Sequence, residues 1–393
     1  MPTSYQTSTN HDYLYIDSDE ELVNYCETIQ NTNILFVDTE FIREKTYAPV
    51  LCLIQVATEE TLACIDPIAI NNLEPLLDLM FNESIVKVFH AARQDLEIFY
   101  NLRSSVPKNL FDTQIAATLL GHADQIGYGN LVNALIKVSL DKKYARTDWT
   151  QRPLSAEQLE YAINDVIYLR EIYEIILNKL NNLGRLDWLT EDFDFLSADS
   201  TFKVIPENMW QKIKGQNKLS GLQRAVLQDL AAWRENKAIH SDKPRKWILS
   251  EDVILSLAQH QPDNSTSLAK IRGITDGTVK KSGQALLDII KQAKKRPQET
   301  WPILKKFTRT NTQQDALIDC MMAMVRLCAA KENIATTMLC SKKDLEKWLV
   351  AGESIALLSG WRYQIAGKQL TEFMNGNISI ACKDQQLDFT LKN

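Results

Sequence analysis

The stretch Ile34-Leu35-Phe36-Val37-Asp38-Thr39-Glu40-Phe41 constrains this chain most. An apolar run the length of a strand buried on both faces leads straight into an acid, a threonine and a second acid. Asp38 and Glu40 are two residues apart, so on an extended strand both side chains point to the same face. Two carboxylates converging at the end of a buried strand repel each other and lose hydration, a cost that a bound divalent cation would offset. A buried strand that simply ends in a polar turn accounts for the stretch as well. The cation reading therefore depends on finding further carboxylates in matching contexts.

The flanking pattern is that of an α/β layer. Tyr13-Leu14-Tyr15-Ile16 reads as a short strand, and Ser18 caps a helix with an acidic first turn that runs to about Ile29. Residues 51–56 and 62–65 read as a hairpin turning at Thr58-Glu59-Glu60, and a helix follows over about 71–81. The strand Ile85 to His90 runs into a helical pattern over 91–100, with Asp95 near its first turn. Sites in open α/β sheets collect where strands end and helices begin, although an early helical Asp also suits the helix dipole by itself. A helix is expected over 113–120, a loop at Gly127-Tyr128-Gly129-Asn130, and irregular chain over 141–154. Ser155-Ala156-Glu157-Gln158 fits a capping box, with Leu154 and Leu159 placed as a hydrophobic staple, for a helix reaching about Leu180. On it Tyr161 and Asp165 are four apart and share a face that borders Ala162, Ile163, Val166 and Leu169. A satisfied core-edge Tyr and a partly solvated Asp would also look like this.

As a set these residues point to chemistry more strongly than any does alone. Four acids, Asp38, Glu40, Asp95 and Asp165, can bind two Mg²⁺ or Mn²⁺ ions through hard oxygen ligands, and paired metals suit in-line hydrolysis of a phosphodiester. Tyr161 would hydrogen-bond and orient the attacking water and could assist its deprotonation. His90, at a strand end, reads as structural rather than catalytic.

Three motifs, Val37-Asp38-Thr39-Glu40-Phe41, His90-Ala91-Ala92-Arg93-Gln94-Asp95-Leu96 and Tyr161-Ala162-Ile163-Asn164-Asp165, resemble those of DEDD-type 3′→5′ exonucleases on the ribonuclease H-like fold, in the tyrosine subclass. Phe111-Asp112-Thr113-Gln114, Tyr128-Gly129-Asn130-Leu131 and the run from Arg146 to Leu154 resemble the ribonuclease D family in particular. The resemblance implies a mixed five-stranded sheet with the Asp38 strand central. It implies that Asp38, Glu40 and Asp165 share the nucleophile-side ion and that Asp38 and Asp95 hold the other. It also implies that Thr39 and Phe41 lie against the terminal nucleotide. The expected activity is metal-dependent trimming of RNA 3′ ends, tRNA precursors and other structured RNAs included, with release of nucleoside 5′-monophosphates.

Charge divides the chain. Residues 1–200 hold 14 Lys+Arg and 31 Asp+Glu, and the remainder 30 and 19, so an acidic half that can hold cations precedes a basic half that can hold a polyanion. Residues 201–209 read as a linker. Beyond it, Leu222, Val226, Leu227, Leu230 and Trp233 form an amphipathic stripe, a helix is capped by Ser250 over about 250–259, and a last helix spans about 276–292. Lys243-Pro244-Arg245 through Leu257-Ala258, with Ile271-Arg272-Gly273-Ile274, resemble an HRDC domain, the helical module also found in RecQ-type helicases. Leu317 to Lys331, Ser341 to Leu345 and Leu357 to Arg362 resemble a second, divergent copy. The expected domains are thus an exonuclease over 1–205 and two all-α HRDC domains over 206–295 and 296–393. Lys291, Lys294, Lys295 and Arg296, then Lys305, Lys306 and Arg309, are candidate nucleic-acid contacts.

Other classes fit less well. No apolar run approaches the ~18 residues of a membrane span, and the polar N-terminus does not resemble a signal peptide. Seven scattered cysteines without a C-x-x-C pair suit free thiols in a reducing cytoplasm, and a monomer is expected. An inactive nucleic-acid-binding adaptor would have lost one of the four acids, and none is lost. A DNA exonuclease of the same fold shares the carboxylate chemistry, and no residue identifiable in the sequence must read a 2′-hydroxyl.

Overall fold

A computed structural model describes residues 2–141, 143–304 and 310–391, so Lys305, Lys306 and Arg309 lie outside the described residues. The chain forms two compact units, each taken over its described residues. One comprises Met1–Glu40, Leu51–Thr201 and Phe307–Asn393, the other Phe41–Val50 and Phe202–Lys306.

A seven-stranded mixed sheet is built from β1 (Thr3–Gln6), β2 (Asp12–Ile16), β3 (Ile34–Ile42), β4 (Val50–Ala57), β5 (Leu62–Ile65), β6 (Val86–Phe89) and β7 (Leu110–Asp112). Their order is β1-β2-β5-β4-β3-β6-β7, so β3 is an inner strand, as its two-sided burial requires. β3 runs parallel to β6 and β6 parallel to β7, while β1 with β2 and β4 with β5 are antiparallel. The expected count of five strands is corrected to seven. The five legible strands are β2 to β6. The other two are edges, a polar four-residue β1 and a three-residue β7, too short to show a hydrophobic period.

The helices of this part are α1 (Asp19–Ile29), α2 (Glu74–Phe81), α3 (Arg93–Arg103), α4 (Thr113–Thr118), α5 (Tyr128–Ile136), α6 (Ala156–Asn182) and α7 (Thr190–Leu196). Ser18 caps α1 by accepting from the Glu21 amide, and Ser155 and Gln158 close a reciprocal capping box on α6. Residues Gly127 to Asn130, expected as a loop, instead open α5 with Gly127 at its N-cap. Glycine is a poor helix former but an acceptable cap, and burial of Leu131 and Val132 supplies what local propensity lacks. The inward face of α6 packs on the sheet: Tyr173 meets Phe36 of β3 edge-on at 5.5 Å and Phe111 of β7 at 4.9 Å.

The same unit holds α13 (Thr312–Lys331), whose Ile318, Met321, Val325 and Cys328 are buried. Short helical turns follow it, and a two-stranded hairpin, β8 (Ile378–Lys383) with β9 (Gln386–Leu391). Trp361 stacks on Trp188 at 4.5 Å, and the buried Arg362 pairs with Glu191 and Asp192 at the start of α7.

In the other unit, α8 (Gly221–His240), α9 (Arg245–Ile248), α10 (Glu251–His260), α11 (Ser265–Ala269) and α12 (Asp276–Lys294) surround one core. Val226, Leu227 and Leu230 of the expected stripe are buried in it, and Trp233 packs against its edge. Part of the stretch read as a linker is a 3₁₀ helix, Pro206–Lys212, with Met209 and Trp210 buried. Buried Glu235 pairs with Arg245 and accepts from the Tyr47 hydroxyl. Lys291 and Lys295 are exposed, whereas Arg296 is engaged by Asp229 and Gln228. No described helix is long and apolar enough to cross a membrane.

Candidate active site

The alternation along β3 sets the site. Phe36 and Val37 are fully buried, and the strand then delivers Asp38 and Glu40 to one face while Thr39 turns to the other. The third acid comes from α6, where the i, i+4 spacing carries Tyr161 and Asp165 on one face. One carboxylate oxygen each of Asp38, Glu40 and Asp165 lies within 4.8 Å of the others. All three are partly accessible, as ligands of an open site must be.

Asp95 completes the acid set from a different direction. It is buried in the first turn of α3, and the Thr39 hydroxyl donates to its Oδ1 at 2.5 Å. The turn before α3 is held by Asp112, whose carboxylate accepts from the backbone amides of Ala91 (3.0 Å) and Ala92 (2.9 Å) and caps α4 through the Gln114 amide. Ala91 there has φ 59°, a left-handed conformation that those two bonds stabilise. Asp112 has no place among the sequence-derived site residues. Its available signal is Asp-Thr-Gln at a strand-to-helix junction, a capping pattern whose second task, across the sheet, is tertiary.

Burial raises every acid of the set, and repulsion within it adds to the rise at Asp38 and Glu40. Glu40 is pushed up to about 9, first by desolvation and then by Asp165 and Asp95. Asp38 is raised well above the usual carboxylate range by desolvation and by Asp165, Asp95 and Glu40. Asp95 and Asp165 rise to about 7, each chiefly through desolvation, with the Thr39 hydrogen bond opposing the rise at Asp95. Among the described residues, the lining of the cleft contains no lysine or arginine, and Lys143 lines the adjoining pocket that shares Tyr161 and Asp165. Hard oxygen donors crowded together in this way fit divalent ions such as Mg²⁺ or Mn²⁺.

The cleft beside these acids encloses about 240 Å³ and is lined by Asp38, Asp165, Tyr161, His90, Gly127, Tyr128, Gly129 and Asp141, among others. Tyr161 is half-buried and its phenol is raised by desolvation and by Asp165, Glu40 and Asp38, so it stays protonated. Trp149 and Tyr144 lie with ring centres 6.1 Å from it. The Tyr128 hydroxyl, absent from the sequence-derived set, donates to the carbonyl of Asp165 and ties α5 to the acid-bearing turn of α6. His90 has both ring nitrogens engaged, one with the Thr113 hydroxyl and one with the Ile126 carbonyl, each at 3.0 Å, and desolvation lowers its pKa. A neutral, doubly held imidazole fits the structural role expected of it. Phe41, next on β3, is half-buried and belongs to the other unit.

Residues 13–181 match the 3′-5′ exonuclease family, and residues 223–290 match the HRDC domain. The ribonuclease D of Sphingobium indicum is 39% identical over 383 residues, covering 95% of this chain and 98% of that protein. That of Bartonella henselae is 37% identical over 358 residues, covering 90% and 88%. The crystal structure of Escherichia coli RNase D, an exoribonuclease involved in structured RNA processing, superposes with a TM-score of 0.83 at 29% identity, covering 93% of this chain and 99% of that one. Likeness of this strength spans both units, so the chain belongs to the ribonuclease D family of 3′-5′ exoribonucleases.

Proposed function

We propose that this enzyme trims the 3′ ends of structured RNAs, tRNA precursors among them, by metal-dependent hydrolysis that releases nucleoside 5′-monophosphates. The reading is carried by one observation: Asp38, Glu40 and Asp165 converge within 4.8 Å beside the Tyr161 cleft. Asp38, Glu40 and Asp165 would hold one divalent ion and Asp38 with Asp95 a second. Bound there, the ions would activate water and stabilise the departing 3′ oxygen.

The chain's own residues do the rest. The raised acids give up their protons when cations bind, which converts a repulsive cluster into a ligand set. Tyr161, whose phenol is raised and stays protonated, would orient the water through its hydroxyl, and its position supports the tyrosine-subclass reading. Thr39 fixes Asp95 through its hydroxyl, and the family resemblance assigns its backbone and Phe41 to contact with the terminal nucleotide. We further propose an exonuclease domain over 1–205 followed by tandem HRDC domains over 206–295 and 296–393 that hold the RNA, in a monomeric cytoplasmic protein.

The test is end-labelled cleavage with Mg²⁺ or Mn²⁺, comparing a tRNA carrying a 3′ extension with single-stranded DNA of matched length, each with and without EDTA. EDTA-sensitive shortening of the RNA from its 3′ end, with little action on DNA, is the expected result. Equal or faster trimming of DNA would overturn the substrate assignment, and binding without trimming under both metals would overturn the enzymatic one.

A further inference from the structure

The segment between α4 and α5, residues 119–127, forms the approach to one wall of the cleft, yet beyond the buried Leu119 it packs little of its own. Most of residues 121–127 are exposed, and Gly121 and Gln125 have φ of 84° and 54°. One end is anchored inside, where the Ile126 carbonyl accepts from His90 and from the Gln114 side chain, each at 3.0 Å. The other end is anchored by the turn after α13. The Ala335 amide donates to the Thr118 carbonyl at 2.9 Å. Arg185, almost fully buried, donates to the Leu119 carbonyl at 2.9 Å and pairs with Glu332 at 3.0 Å. Asn333 covers Gly121 so closely that a Cβ there would sit 2.7 Å from its Oδ1.

We propose that the Glu332–Ala335 turn is a positioning element of the exonuclease site. It satisfies carbonyls at the end of α4 and thereby sets the wall Gly127 to Gly129, including the Tyr128 hydroxyl that holds the Asp165 carbonyl. The C-terminal helical region then contributes to cleavage geometry as well as to RNA contact. Two physical facts carry this. A carbonyl that loses its shorter bond, as Thr118 would, keeps only the longer one from the Gly121 amide, which lies in the loosely packed segment itself. A buried guanidinium deprived of its carboxylate does not stay where it was. The inference rests on the reading of the cleft given above as the site of RNA hydrolysis.

Two full-length variants test it. Glu332→Ala removes the partner of Arg185. Ala335→Pro removes the shorter of the two bonds to the Thr118 carbonyl, 2.9 Å against 3.3 Å from the Gly121 amide, at a residue whose φ, −67°, is already that of proline. The substrate is a single-stranded oligoribonucleotide of about five residues, read with Mg²⁺, and amide exchange is followed in parallel without metal. The expected result for both is kcat lower by roughly tenfold with KM within about twofold, and faster exchange confined to residues 118–130. Glu332→Gln, which can still accept from Arg185, restores most of the rate. If exchange in 118–130 and kcat match the parent while only thermal stability falls, the turn is a docking contact and the proposal is overturned. If one variant does not fold, the other decides between these outcomes. A parent enzyme that fails to cleave RNA would instead overturn the function, and the exchange data would still judge the brace.

Discussion

Glu40 is held near pH 9 by its surroundings, so the metal-free site stores protons that a cation must displace. The sign follows directly. The folded site carboxyls bind protons more tightly than the unfolded ones, so their contribution to metal-free stability is greatest in acid. It declines as pH rises from the ordinary 4.5 of a glutamate through about 7 for Asp95 and Asp165 and about 9 for Glu40. Mg²⁺ or Mn²⁺ should therefore raise Tm more at pH 8.5 than at pH 6, with proton release measurable by titration in buffers of different ionisation enthalpy. An equal Tm gain at both pH values would contradict the coupling. Asp38→Asn should lower kcat by at least ~10³-fold and leave RNA affinity largely intact, while Tyr161→Phe should lower it ~10²-fold with KM unchanged. Filter binding beside single-turnover cleavage separates these cases. Near-normal cleavage by Asp38→Asn would remove the metal assignment.

At the scale of elements, junctions matter more than interiors. β3, α3 and α6 each follow from local pattern, but their relative placement depends on bonds between junctions, and Asp112 makes most of those at α3. Asp112→Ala leaves the Ala91 and Ala92 amides unpaired and should cost about 2–3 kcal/mol in chemical denaturation. It should also weaken Mn²⁺ binding, because Asp95 loses its fixed helix start. Unchanged metal affinity with the stability loss would limit Asp112 to capping. Legibility followed the same division. The caps at Ser18 and Ser155 and the strands β2 to β6 could be read because each carries its signal within a few residues. The helix at Tyr128 could not, since its glycines point to a loop and only its packed face makes it helical. The edge strands β1 and β7 exist because a neighbouring strand offers them unpaired backbone, which no period in their own sequence records.

For the whole molecule, the charge asymmetry implies a salt-dependent grip on RNA by the basic half. Because residues after 310 share a unit with the exonuclease part, deleting everything beyond the first unit's sheet would confound grip with stability. Neutralising exposed Lys243, Lys246, Lys291 and Lys295 to alanine is the cleaner test. Binding of structured RNA should weaken, and its dependence on log salt should become shallower by ~0.7–0.9 for each phosphate no longer neutralised, while cleavage of a short oligomer stays unchanged. An unaltered slope would assign the grip elsewhere.

The sequence alone determined which residues could do chemistry: a buried strand ending in two acids, a third acid at a strand-to-helix junction, and a Tyr and an Asp one helical turn apart. It determined them because carboxylate spacing and hydrophobic period are local properties. Only the tertiary structure decided that residues 38, 40 and 165 meet within 4.8 Å, that Asp112 and Tyr128 hold the elements carrying the acids, and that the turn after α13 bonds to the end of α4. Those facts depend on distances between groups far apart along the chain, and so does the repulsion that makes the site receptive to cations.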